Sequence, residues 1–276
     1  MNKKSMKMTG MLLAAVCFFS QAAAFGISQT TALAREQTYK EEHTASIDLN
    51  GDGSNETVRF LPGSKSYDEF ETLTISVNGT EQATLREGMF SYDYRVLKLK
   101  NGKHLLYVRT FWNNEDGLKY VYDYRGGKLV RILDVGRNYD ARWATDPKVQ
   151  GNRILFGISG NGAGIGYYDF EDSYTWKDGK LKEDSKVHKV KKYFNMNTGK
   201  TGVLDLTVTK SFKIYSDEKC KKYKATVPVG AHVKVTKTFQ EKKYATYYVT
   251  GEGYSGWYTS KDVDWEMLFD GVTGVA

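Results

Sequence analysis

The sequence predicts an all-β protein built from repeated antiparallel segments. Tyrosine is abundant, with 20 residues, whereas proline occurs only three times in 276 residues. Many aromatic residues on a polar chain are typical of strands with one face in a core and one in water. Glycine-bearing turns recur about every 50 residues, and no long segment shows helical periodicity.

Three predicted hairpins define the repeat within residues 44–190. Their sequences span residues 74–81, 122–129 and 174–181, and their turn glycines are Gly79, Gly127 and Gly179. Asn-Gly and Asp-Gly turns favour type I′ geometry, in which both central residues need a positive φ. A second set of glycine turns lies upstream in each segment, at Gly51–Gly53, Gly102 and Gly151.

Each segment therefore reads as strand, turn, strand, longer polar loop, strand, tight turn, strand. Four strands in about 50 residues is the rhythm of a propeller blade, although three blades are fewer than the usual four to eight. We expect three propeller-blade-like antiparallel segments, in a truncated propeller or a stacked-sheet arrangement without a closed ring. An ordinary meandering sheet is the alternative.

A basic and then Asn/Gly/Thr-rich stretch, residues 186–202, predicts a linker. Beyond it, short β runs at residues 203–214, 223–228, 231–239, 244–250 and 256–259 predict a small barrel. The expected organisation is a repeat domain over 36–195, a second domain over 200–265 and a C-terminal tail over 266–276.

Residues 1–34 predict a secretory signal peptide. A basic front precedes the apolar run Met11–Phe19, which is too short to span a bilayer comfortably. Cleavage after Ala24 or after Ala34 is compatible with the small residues there, and Ala34 fits the small-x-small rule better. An uncleaved anchor and lipidation at Cys17 are alternatives. We expect a secreted protein, either free or associated with the cell wall, without a stable membrane span after cleavage.

The composition of the mature chain limits its stabilisation and its partners. Cys220 would be its one cysteine, so no internal disulfide can form and stability must come from a core. Three of the 40 basic residues lie in the signal, and the remaining 37 against 33 acidic residues leave +4. This mild charge predicts no nucleic-acid partner. The basic stretches 186–192 and 219–224 indicate solvated faces or attraction to anionic wall polymers.

The strongest local motif is Asp48-Leu-Asn-Gly-Asp-Gly-Ser-Asn-Glu56. Ca²⁺ prefers several oxygen ligands, and a glycine-bent loop can bring alternate side chains to one centre. An EF-hand would need Glu at position twelve, which is Arg59. The string and the strand after it instead resemble the calcium loops of FG-GAP and VCBS-type β-repeats of secreted bacterial proteins. The resemblance implies one Ca²⁺ site, with the ligands Asp48, Asn50, Asp52, Ser54 (through its carbonyl) and Glu56. A plain Asn/Asp/Gly turn without metal is the alternative.

Residues 203–264 resemble bacterial SH3-like domains. The match lies in residues 223–236, with Gly230 at the turn between two strands, and in residues 247–258, which end in Gly-x-x-Gly-Trp-Tyr. The resemblance implies a small barrel and a cell-wall address, with a wall polymer or peptide as partner. Its candidate ligand-binding residues are Tyr254, Trp257 and Tyr258, and aromatic rings of this kind stack on sugars or peptides.

The sequence offers no recognisable catalytic constellation. The four histidines show no pair at metal-binding spacing, and the glycine-rich stretch 157–166 lacks the ending of a phosphate loop. We therefore expect a non-enzymatic, cell-envelope-associated binding or structural module, with a calcium-stiffened repeat domain and an SH3-like targeting domain. An accessory or non-catalytic subunit of a peptidoglycan hydrolase system and a purely structural extracellular protein are the alternatives.

We predict cleavage after Ala34, because Ala32-x-Ala34 follows the apolar run. Mass spectrometry of the secreted protein should find Arg35 as its first residue. A secreted protein that retains Met1 would contradict the export mechanism.

Overall fold

The computed structural model describes residues 38–66, 69–112, 115–136, 141–162, 165–195, 197–241, 244–259 and 268–272. The predicted signal peptide and most of the predicted C-terminal tail lie outside these ranges. The described residues form antiparallel strands, which confirms the all-β prediction. They contain no helix long and apolar enough to cross a bilayer.

The first two repeats each form a four-stranded sheet whose strands pair in sequence order. The first sheet consists of β1 (His43–Ile47), β2 (Glu56–Ser66), β3 (Glu69–Val77) and β4 (Thr80–Met89). The second consists of β5 (Ser91–Lys98), β6 (His104–Trp112), β7 (Glu115–Arg125) and β8 (Lys128–Asp134). In each of these two sheets, two residues separate the second strand from the third. The longer loop that was expected between these strands is therefore absent from both sheets.

The third repeat enters a sheet of 13 strands. Its own strands are β9 (Ala141–Ala144), β10 (Lys148–Gln150), β11 (Arg153–Gly162), β12 (Gly166–Lys177) and β13 (Lys180–Glu183). The later strands are β14 (Val187–Asn195), β15 (Lys200–Gly202), β16 (Leu206–Thr207), β17 (Phe212–Tyr215), β18 (Tyr223–Val227), β19 (His232–Glu241), β20 (Tyr244–Gly251) and β21 (Tyr254–Thr259). The main strand order is β10-β11-β12-β14-β19-β20-β21-β17-β18.

The three repeat hairpins have the predicted turns. Each turn has two central residues, and both have a positive φ, as a type I′ hairpin requires. The pairs are Asn78 (49°) with Gly79 (79°), Gly126 (57°) with Gly127 (73°), and Asp178 (55°) with Gly179 (74°). The sequence prediction of these turns is confirmed.

The upstream turns of the second and third repeats lie directly against each other. The backbone N–H of Lys100 donates to the carbonyl of Gly151 at 2.9 Å. The next N–H, that of Asn101, donates to Oδ1 of Asn152 at 3.0 Å. Equivalent turns of neighbouring repeats are therefore side by side, as expected when the repeats follow one another with similar geometry.

The second sheet is buried on both faces. Along β6, Leu105 and Tyr107 enter a core shared with the third sheet, whereas Leu106 and Val108 enter a core shared with the first sheet. Successive side chains of a strand point to opposite faces, so one strand supplies both cores. The three sheets consequently stack as layers, with the second sheet in the middle.

Residues 186–202 contain strands rather than the predicted linker. β14 pairs with β12, for example Val190 with Phe170, and also with β19, for example Val187 with Phe239. Its lysines, which suggested a linker, are exposed on the solvent face, and its inward residues are buried. The sheet therefore continues across this segment, and residues 37–276 form one compact unit.

No sheet closes into a barrel in the part of the chain that the structure describes. Strands do occupy the predicted runs of residues 203–264, but β19 pairs with β14 along the edge that also holds β16. That edge is thus taken by β14, which also pairs with β12 of the third repeat, and the C-terminal strands continue the same sheet. Independent folding of residues 203–264 stays a prediction, which circular dichroism of that fragment tests.

We predict that Phe269→Ala lowers the free energy of unfolding of the full chain by about 3–5 kcal/mol. Phe269 is fully buried, its ring centroid lies 5.8 Å from that of Phe212, and its backbone bridges to Val208. Urea denaturation measures the loss. Val229→Ala, at an exposed position, is the control and should change stability by less than about 0.5 kcal/mol. Equal effects of the two substitutions would contradict the packing.

Candidate functional site

The predicted calcium loop joins β1 to β2 and is held by its own side chains. Oδ1 of Asp48 accepts the N–H of Gly51 at 2.7 Å, and its Oδ2 accepts the N–H of Gly53 at 3.1 Å. The two glycines have φ values of 84° and 88°, a conformation that side chains with a Cβ rarely adopt. The loop thus bends where the sequence placed glycine.

Two further Asx-type turns continue the loop. Oδ1 of Asn50 accepts the N–H of Asp52 at 2.8 Å, and Oδ1 of Asp52 accepts the N–H of Ser54 at 2.7 Å. Short polar side chains commonly bond to the backbone two residues on in this way. Asp48, Asn50, Asp52 and Ser54 therefore lie in one small loop, as the motif predicted.

Glu56 closes the base of the loop from the first position of β2. It is 8% exposed, and its Oε2 accepts the N–H of Leu49 at 2.9 Å. Buried polar groups in proteins are normally hydrogen-bonded, and this bond ties the two ends of the loop together.

The loop carries the oxygens that Ca²⁺ prefers, in a conformation closed by hydrogen bonds. Backbone N–H donation from Ser54, and then the Asn50 side chain, hold the pKa of Asp52 below its usual value, which keeps the carboxylate charged. Each carboxylate oxygen has a further lone pair for a ligand bond, but a cation at the centre would compete with the N–H donors. Calcium binding at Asp48, Asn50, Asp52, Ser54 and Glu56 stays a prediction.

The predicted calcium loop contacts the second repeat through His104. Nδ1 of His104 lies 2.8 Å from the carbonyl oxygen of Asp48 and 3.7 Å from its Oδ2. His104 begins β6, which is buried on both faces, so the loop is anchored to the middle sheet. The sequence did not connect these residues, because they are 56 positions apart.

The structure places two of the three predicted ligand-binding residues in the interior. Tyr258 is 1% exposed and Trp257 is 7% exposed, whereas Tyr254 is partly open to solvent. The Trp257 ring packs against Tyr248, with centroids 5.1 Å apart, and Tyr258 packs at the same distance from Phe212. Both faces of β21 are covered, so these rings form no open stacking surface. A binding role for Tyr254, Trp257 and Tyr258 stays a prediction.

A pocket of about 490 Å³ lies beside this aromatic cluster. Phe212, Tyr215 and Tyr258 contribute aromatic walls, and Lys210 and Lys213 contribute two cations. Its volume is in the range of small-molecule sites, which combine apolar walls with a few polar groups. The arrangement suits a ligand with a flat or apolar part and a negative charge.

A second polar cluster lies in the third repeat. Asp172 on β12, Glu183 on β13 and His188 on β14 each offer a ligand atom, and these atoms lie within 4.8 Å of one another. In the described ranges, this is the one group of three or more His, Cys, Asp or Glu side chains that converges so closely. Burial, opposed by a bond to the Glu171 carbonyl and by Glu183, lowers the pKa of His188.

Sequence reasoning missed this cluster because its residues come from three strands, at spacings unlike those of local metal motifs. One signal was present. Phe170, Asp172 and Tyr174 alternate along β12, and all three are buried. A carboxylate in the inward row of a strand is unusual unless it has a polar or cationic partner.

Comparison with family models, with curated proteins and with solved structures finds no match for this chain. The resemblances to FG-GAP or VCBS-type loops and to SH3-like domains therefore rest on the motifs at residues 48–56, 223–236 and 247–258.

We predict that Ca²⁺ raises the melting temperature of the mature protein relative to EDTA. With Ca²⁺ near about 1 mM and a dissociation constant of about 0.1 mM, typical of extracellular modules, the stabilisation is about 1.4 kcal/mol. Asp52→Asn should abolish the shift, because it removes a charged ligand.

Asp178→Asn is the matched control, since Asp178 is also an exposed turn residue but lies outside the loop. Differential scanning calorimetry measures the shift. Identical melting in Ca²⁺ and EDTA, or a shift that survives Asp52→Asn, would count against the site.

Proposed function

We propose that this chain is a secreted, non-enzymatic binding module of the cell envelope. Its C-terminal strands bind an anionic wall polymer or peptide, and its three stacked sheets form the scaffold. The observation that carries the proposal is the pocket between Lys210, Lys213 and the aromatic residues Phe212, Tyr215 and Tyr258.

The charge on the two strands that line the pocket, and on the loop that joins them, supports an anionic ligand. β17 pairs with β18, so that Lys213 lies opposite Thr226, and the basic stretch 219–224 directly precedes and enters β18. Asp217 accepts N–H bonds from three lysine backbones in this stretch, which orders the loop and leaves those side chains exposed. Clustered cations of this kind attract polyanions in a salt-dependent way.

The aromatic walls support a ligand with a sugar or peptide component. Aromatic side chains offer large flat apolar surfaces with a polar edge. Tyr258 is one of the residues that the SH3-like motif singled out, and it lines this pocket rather than an open groove. The SH3-like motif and the pocket therefore both support a ligand site on the C-terminal strands.

Calcium stiffening of the first repeat belongs to the same proposal. The loop 48–56 is bonded to the middle sheet through His104. Ca²⁺ bound there would stabilise the contact between the first two sheets without touching the pocket. In this proposal Ca²⁺ stabilises the scaffold and does not contact the ligand.

We predict that the mature protein is retained on purified bacterial wall at low salt and released at high salt. The double variant Lys210→Gln/Lys213→Gln should weaken retention about tenfold, because each exposed charge contact contributes about 0.2–1 kcal/mol. Wall that has been stripped of its anionic polymers should retain the unaltered protein weakly. This retention should be no stronger than that of the double variant on intact wall.

Lys148→Gln/Lys180→Gln is the matched control, because both lysines are exposed on strands of the third repeat. It should bind as the unaltered protein does. Equal retention of the two double variants, or no retention at low salt, would overturn the proposal. Clearing of wall polymer in a zymogram would replace it with a hydrolytic function.

A further inference from the structure

We propose that Asp172, Glu183 and His188 form a Zn²⁺ site that clamps the third repeat to the C-terminal strands. The site is separate from the calcium loop and from the pocket, and it rests on neither. It has three protein ligands and one position open toward solvent.

The three side chains have the chemistry and the spacing of a metal site. His188 Nε2 lies 3.9 Å from Glu183 Oε1, and one ligand atom from each of the three residues lies within 4.8 Å of the others. Bonds from Zn²⁺ to nitrogen and oxygen are about 2.0–2.2 Å long, so neighbouring tetrahedral ligands lie about 3.3–3.5 Å apart. Shifts of about 0.7 Å in each side chain therefore bring separations of up to 4.8 Å to ligand spacing.

Neighbouring groups orient two of the ligands. Nδ1 of His188 lies 3.2 Å from the carbonyl oxygen of Glu171, and the hydroxyl of Tyr174 donates to Oδ2 of Asp172 at 2.7 Å. When the Nδ1–H donates to that carbonyl, Nε2 keeps its lone pair for a metal. Metal-binding histidines and carboxylates usually have outer partners of this kind, which fix the ligand and raise its basicity.

The burial of the cluster suits a bound ion with an entry path. Asp172 is 0% exposed and His188 is 4% exposed, whereas the Glu183 side chain is partly open to solvent. Two carboxylates carry two negative charges, which one divalent cation balances. Water can fill the remaining coordination position on the Glu183 side.

The position of the cluster explains what a bound metal would do. Along one edge of β12, the partner strand changes from β13 to β14, with Glu183 opposite Tyr174 and Val190 opposite Phe170. At the same place β14 also pairs with β19, with His188 opposite Thr238. A metal bound by β12, β13 and β14 would hold the junction of the third repeat with the C-terminal strands.

The donor set selects a transition metal rather than Ca²⁺. Imidazole nitrogen suits Zn²⁺ and its neighbours in the periodic table, whereas Ca²⁺ takes six to eight oxygen ligands. Three protein ligands from rigid strands fit four-coordinate Zn²⁺ with one water.

Isothermal titration of the metal-free mature protein with Zn²⁺ tests the proposal, with thermal melting as the second readout. We expect one ion per chain and a higher melting temperature with Zn²⁺. Glu183→Gln, at the accessible ligand, should weaken Zn²⁺ binding at least tenfold. Tyr174→Phe, which removes the hydroxyl that orients Asp172, should weaken it about tenfold.

Asp178→Asn is the matched control, because its exposed carboxylate lies in the turn between β12 and β13 and outside the cluster. It should bind Zn²⁺ within about twofold of the unaltered protein. Circular dichroism checks that each variant is folded before titration. The absence of one-to-one binding, equal affinity in all three variants, or displacement of Zn²⁺ by excess Ca²⁺ would overturn the site.

Discussion

The burial of the second sheet on both faces is the constraint on which the rest of the molecule depends. β6 and β7 supply alternate residues to two cores, so Val121 faces the third sheet while Tyr120 and Tyr122 face the first. A one-residue slip of either strand would exchange the two sets of side chains. The register of the middle sheet therefore sets the positions of the outer layers, including the loop 48–56 that is bonded to His104 and the strands that lead to the pocket.

Local features of this fold were predictable from the sequence because short-range geometry determines them. Asn78-Gly79 and Asp178-Gly179 form the expected turns, since these residues tolerate a positive φ at little cost. The run of oxygen-bearing side chains from Asp48 likewise forms a loop through bonds to its own backbone. In such cases the relevant partners lie within a few residues, so the sequence pattern contains them.

Pairing partners far apart in the chain were not predictable in the same way. The lysine-rich stretch before Phe194 has the composition of a linker, yet it is a strand with its lysines in solvent and Val190 and Tyr193 in the core. The edge of β19 is occupied by β14, which prevents the closed barrel that the short C-terminal strands suggested. The cluster of Asp172, Glu183 and His188 depends on the same pairing, and it escaped a search for histidines at local spacing.

The junction between β12, β14 and β19 is more polar than the core that the third repeat shares with the C-terminal strands. Thr238 of β19 is fully buried, and its hydroxyl donates to the carbonyl of Thr246, which is fully buried on the adjacent β20. Nε2 of the buried Gln240 donates to the hydroxyl of Tyr168 at 2.7 Å. An apolar junction would tolerate several registers, whereas a shifted polar junction would leave buried donors and acceptors without partners, at a cost of about 1–3 kcal/mol each. The polar side chains therefore fix the register in which the C-terminal strands pair with the rest of the third sheet. The buried His188 contributes in the same way on β14.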